Sequence, residues 1–137
     1  MHPRIGRGVA YGDYDGDGDL DILITTNQGN AYLLRNDAQI GHHYLRLRLE
    51  GGRSNRSAIG ARVRLRAGRT WQRREVTSGS SYASQNELIL TFGLAQATRV
   101  DEIQIRWPSG AVQSLHNVTA DQTLIVREKL EPANLWN

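Results

Sequence analysis

Ten consecutive residues, GDYDGDGDLD from Gly12 to Asp21, hold five aspartates. Carboxylates packed this closely raise one another's pKa values unless a counter-charge sits among them. Numbered from Asp13, the acids fall at positions 1, 3, 5, 7 and 9, as Asp13, Asp15, Asp17, Asp19 and Asp21, with Gly18 at position 6. Oxygen ligands on alternate residues of a tightly curled loop converge on one point, and the glycine permits the sharp turn, which is also the logic of the EF-hand. Hard oxygen donors with no His or Cys among them select Ca²⁺ over zinc or copper. The flanking segments GVAYGD and LDILITT read as strands, and the last acid falls at position 9 where an EF-hand has Glu at 12, so the loop is not an EF-hand.

Other polar groups offer less. The stretch GSSYASQ presents Ser80, Ser81, Tyr82 and Gln85 as a possible ligand loop for a sugar or peptide. The plainer reading, an ordered connection that satisfies its own backbone through serine turns, is preferred. His42 and His43 are neighbours, and successive side chains of a strand point to opposite faces, so the pair suits packing at a junction better than chelation. No Ser-His-Asp spacing, phosphate loop or nucleophile elbow is legible, and no catalytic residue is assigned.

Arginines recur on alternate positions, Arg46 and Arg48 in HYLRLRLEG and Arg62, Arg64 and Arg66 in GARVRLRAG. If those strands pair, the side chains form one basic face. A nucleic-acid surface of this type interleaves aromatics for base stacking, and only Tyr44 stands at an end here. Nucleic acid is therefore disfavoured, and the stripes read as the solvated side of a sheet, paired with acids such as Glu50 and Glu75.

The elements that carry these residues alternate with period two almost throughout, which predicts an all-β chain. GVAYGD, LDILITT and AYLLRND form a three-stranded, blade-like meander around the aspartate loop. Seven strands follow, HYLRLRLEG, GARVRLRAG, TWQRREVTS, ELILTFGL, RVDEIQIRW, AVQSLHN and QTLIVRE, broken by Gly, Ser, Pro and Asn, and they predict an antiparallel β-sandwich. Trp107, at a strand end before Pro108, is expected in its core. Charge divides the same way: residues 1–37 carry a net −3 and the remainder +6. No stretch approaches the ~20 apolar residues of a membrane span, no apolar leader opens the chain, and the absence of Cys leaves the redox compartment open.

The run GDYDGDGDLDILI resembles the FG-GAP/VCBS-type calcium-loop repeat of β-propellers. That resemblance implies side-chain ligation by Asp13, Asp15, Asp17 and Asp21 and a backbone oxygen from Asp19. The later motifs IGARVRLRAG, REVTSGSSYASQ, LTFGLAQATRVDEIQIRWPSG and QSLHNVTADQTLIV resemble the ASPIC/UnbV domain of the cartilage acidic protein and UnbV-like family. The expected organisation is a single blade at 1–40, a sandwich at 41–130 and a tail at 131–137. One blade cannot close a propeller of about 4 to 8, so the chain reads as the C-terminal fragment of a longer propeller protein. The family lends no established activity; the leading expectation is a non-enzymatic, calcium-binding interaction module with an unidentified protein or carbohydrate ligand, placed outside the cell or in the periplasm by the resemblance. The alternative is an accessory protein or enzyme of enediyne-type natural-product biosynthesis. Self-association through the blade edge is a further expectation, because small isolated sheets are marginal in water.

Overall fold

The computed structural model describes residues 5–37 and 41–129, and the expected tail at 131–137 lies outside them. The described residues form strands β1 (Gly6–Gly12), β2 (Asp21–Thr26), β3 (Tyr32–Leu34), β4 (His43–Glu50), β5 (Arg62–Ala67), β6 (Thr70–Glu75), β7 (Leu90–Ala95), β8 (Arg99–Arg106), β9 (Val112–Thr119) and β10 (Gln122–Arg127). They make three sheets in the orders β1-β2-β3, β10-β4-β7 and β6-β5-β8-β9. The all-β expectation holds, and the first sheet is the anticipated meander.

Alternation decides the core. Leu45, Leu47 and Leu49 of β4, with Leu90, Phe92 and Leu94 of β7 and Val126 of β10, join Val63 and Leu65 of β5 and Ile103 and Ile105 of β8 in one buried cluster. Each such side chain contributes about 1.5 to 3 kcal/mol when fully removed from water. Trp107 closes the cluster at 2% exposure, as expected of a strand-end anchor.

Two features depart from the sequence reading. The ladder of β10 on β4 is parallel, from Gln122 beside Leu45 to Arg127 beside Glu50, so one pair of the sandwich is not antiparallel. The chain leaves β9 and enters the opposite sheet at Asp121, whose amide donates to the Tyr44 carbonyl at 2.7 Å. The Asp121 carboxylate accepts from the Tyr44 amide and from His43 Nδ1, which fixes the start of β10 beside the start of β4. The arginine stripes are also separated: β4 and β5 belong to different sheets, so their arginines share no face.

Candidate metal centre

The aspartate loop joins β1 to β2. Gly16 and Gly18 take φ values of 80° and 96° there, a backbone that favours glycine. The Asp13 carboxylate accepts from the amides of Gly16 at 2.6 Å and Gly18 at 3.0 Å. Asp21, at the start of β2, accepts from the Tyr14 amide at 2.7 Å and the Asn36 amide at 2.8 Å. These bonds curl the loop so that Asp13, Asp15 and Asp21 each present an oxygen within 4.8 Å of the others. Asp17 instead accepts from the Asp19 amide, at 2.9 Å, and neither Asp17 nor Asp19 belongs to that group of three.

The electrostatics follow from this geometry. Desolvation pushes the Asp19 carboxyl up, and repulsion from Asp17, Asp13, Asp21 and Asp15 adds to it. The amides of Asn36 and Tyr14 hold the Asp21 carboxyl down. Asp15 has Arg35 Nε at 3.8 Å, but that guanidinium lies closer to Asp37, at 2.7 Å. Three convergent carboxylates with a surplus of negative charge fit a hard divalent cation, with Asp13, Asp15 and Asp21 placed to hold it.

Sequence reasoning missed what anchors the loop. Arg46 was expected on a solvated face with Arg48, yet only Arg48 is exposed, and Arg46 is 8% exposed. Its guanidinium reaches Asp13 at 2.8 Å and Glu87 at 2.6 Å. Alternation told correctly that Arg46 points away from the sandwich core; it could not tell that the small sheet covers that side. Gly18 lies against the ring of Tyr44, where an added Cβ would collide with the aromatic carbons. The loop is thus seated on the outer face of β4.

The GSSYASQ segment is part of the same junction. Ser80 and Ser84 close it through the bonds Ser80 N to Ser84 O and Ser84 N to Ser81 O. Beyond it, the Glu87 amide donates to the Tyr11 carbonyl, and the Tyr11 amide donates to Asn86 Oδ1, so residues 86–87 extend along the edge of β1. Tyr82 is exposed with Arg7 5.8 Å from its ring centre, and Gln85 is exposed. The cavity between small sheet and sandwich is lined by Tyr11, Leu20, Arg74 and residues 75–77 and 86–91, without Ser80, Ser81, Tyr82 or Gln85. His43 pairs with Asp121 at 2.7 Å and His42 is exposed.

A second polar cluster lies at the far end of β10. The buried Glu128 carboxylate accepts from the amides of Gly52, Arg53 and Ser54, at 2.8 to 2.9 Å, and from the hydroxyls of Ser54 and Ser109. Burial pushes its pKa up, but the donors from Ser109, Ser54 and Gly52 outweigh burial and lower it to about 2. This cluster ties the β4–β5 connection to the chain after β10; no spacing in the sequence announces it.

A model of the family described as ASPIC and UnbV matches residues 51–132. The chain belongs to the ASPIC and UnbV family. The ASPIC and UnbV match begins just after β4, yet β4 is the central strand of its sheet and supplies Leu45, Leu47 and Leu49 to the core. The structural unit therefore starts earlier than the match. Cartilage acidic protein 1 of Homo sapiens is 29% identical over 131 residues, covering 93% of this chain and 19% of that relative. Cartilage acidic protein 1 of Mus musculus is 28% identical over 131 residues, covering 93% of this chain and 20% of that relative. The chain spans about a fifth of the length of these curated relatives.

Proposed function

We propose that this ASPIC and UnbV chain is a non-enzymatic interaction module, extracellular or periplasmic, whose FG-GAP-type loop binds one structural Ca²⁺. The observation that carries the reading is the convergence of Asp13, Asp15 and Asp21 within 4.8 Å in a loop bonded to its own amides. Carboxylates brought together this way repel one another, and a divalent cation turns that repulsion into cross-linking between the ends of β1 and β2. Asp17 and the backbone oxygen of Asp19 complete the expected ligand set. Because Asp13 is also bonded to Arg46, an ion held there stabilises the seat of the small sheet on the sandwich.

The small sheet supports the reading of a piece within a longer propeller protein. Register places Val9, Tyr11, Ile22, Ile24, Tyr32 and Leu34 on one face, and Val9, Tyr11, Ile22 and Leu34 are exposed. A neighbouring blade would cover such a face; in this chain alone it favours association. The relatives' name, which refers to cartilage, supports the extracellular side. Among the described residues no helix is long and apolar enough to cross a membrane.

Thermal melts of chelator-stripped protein, with and without millimolar Ca²⁺, test the proposal. A rise in melting temperature with Ca²⁺ and a smaller rise with Mg²⁺ are expected. No rise with Ca²⁺ overturns it.

A further inference from the structure

The outer face of the four-stranded sheet sets like charges against each other. Arg64 of β5 stands directly opposite Arg73 of β6, and Arg62 of β5 directly opposite Arg106 of β8. Like charges facing across a ladder are destabilising. Arg62 is relieved by Glu75 at 3.1 Å, and Arg66 by Asp101 at 3.4 Å. Among the described residues, Arg64, Arg73 and Arg106 have no carboxylate within ion-pair distance. All four opposed arginines line one open depression of about 580 Å³, together with Arg74, Gln104 and one acid, Glu75, which is engaged by Arg62.

Protection of a sheet edge accounts for charges on β6, which is an edge strand. It does not account for Arg64 and Arg106, because β5 and β8 are interior strands. We propose that this face binds a sulfated polysaccharide. Guanidinium forks pair bidentately with oxyanions. Alternate residues of a strand are about 7 Å apart and neighbouring strands about 4.8 Å apart, so the sheet holds its arginines in a rigid lattice. A lattice of cations fits a polymer with a regular charge repeat. Single-stranded nucleic acid stacks successive bases on several aromatic faces, whereas among the described residues this face offers the single ring of Trp71, 46% exposed, with Arg64 4.8 Å and Arg66 5.7 Å from its centre. A broad sheet face is also too wide for the major groove of a duplex, which takes a helix or a two-stranded ribbon.

The face lies on a different sheet from the aspartate loop, so its ligand does not depend on the calcium reading. Titrations of the full chain with heparin, desulfated heparin and a single-stranded oligodeoxynucleotide of equal charge test the proposal. Heparin is expected to bind, more weakly as salt rises. R64Q/R73Q and R106Q are each expected to weaken it about tenfold or more, whereas R48Q/R127Q, on the other sheet, leaves it unchanged. Calcium-stripped protein binds heparin equally well. Should the double variant melt early, R106Q alone carries the comparison. Absent heparin binding, equal binding of desulfated heparin, or equal losses in R48Q/R127Q overturns the proposal. Tighter binding of the oligodeoxynucleotide than of heparin assigns the face to nucleic acid and overturns it too.

Discussion

Asp13 and Arg46 meet at 2.8 Å, one from the acidic loop of the small sheet and the other from the central strand of the sandwich. Neither is a surface residue in effect, since the Asp13 side chain is 0% and the Arg46 side chain 9% exposed. Glu87 on the far side of Arg46, its side chain 19% exposed, completes a largely buried acid-base-acid row. Removing one partner of such a row leaves charge buried without compensation, which costs about 3 to 5 kcal/mol. Arg46→Met is therefore expected to lower unfolding free energy by that order in denaturant titrations without calcium. A loss within ~0.5 kcal/mol would place Arg46 in solvent.

In the loop, Asp15→Ala and Asp21→Ala are expected to abolish calcium-dependent stabilisation. They differ without calcium. Among the described residues Asp15 accepts from no loop amide, and its side chain is 28% exposed, so its loss leaves the stripped protein's melt nearly unchanged. Asp21 holds the amides of Tyr14 and Asn36, so its loss destabilises the stripped protein as well. Arg64→Ala serves as the control, exposed on the outer sheet face, with an effect within ~0.5 kcal/mol. Melts of the three variants with and without Ca²⁺ check this, and retained calcium stabilisation in Asp15→Ala contradicts it.

Gly18 is constrained twice, by a φ of 96° and by the ring of Tyr44 against its α-carbon. Gly18→Ala must strain the backbone, at about 1 to 3 kcal/mol, and displace Tyr44. The expected outcome is lower stability together with weaker Ca²⁺ binding. An unchanged melt and unchanged affinity would show that the loop is not seated on β4.

Much of the fold was legible because half-buried strands announce themselves by alternation. Leu45, Leu47 and Leu49 against Arg46 and Arg48 gave β4 its two faces, and the spacing of the aspartates gave the loop. Alternation reports which face a side chain is on and not what lies above that face. For that reason Arg46 was misread as solvated, and the arginines of β4 and β5 were imagined on one surface. The parallel course of β10 was equally hidden, since it depends on where the chain crosses between sheets at Asp121. Glu128 carried no signal either: its donors come from Gly52, Arg53, Ser54 and Ser109, distant in sequence and mostly backbone.

Glu128 also gives a pH dependence of definite sign. Its folded pKa, about 2, lies below the ordinary 4.5. A carboxylate depressed on folding contributes stability that is present above pH 4.5 and lost as pH falls towards 2. Wild type should therefore lose stability relative to Glu128→Gln across that interval, read as converging denaturation midpoints at pH 5, 4 and 3. A constant difference between the two proteins would contradict this.

Calorimetric titration of chelator-stripped protein with Ca²⁺, and separately with Mg²⁺, tests the central claim most directly. Several carboxylates around a flexible loop suit a shell of about 6 to 8 oxygens better than a strict octahedron. The account predicts one Ca²⁺ per chain, bound more tightly than Mg²⁺, with the heat lost in Asp15→Ala. No heat with Ca²⁺, or equal affinity for the two ions, would contradict it.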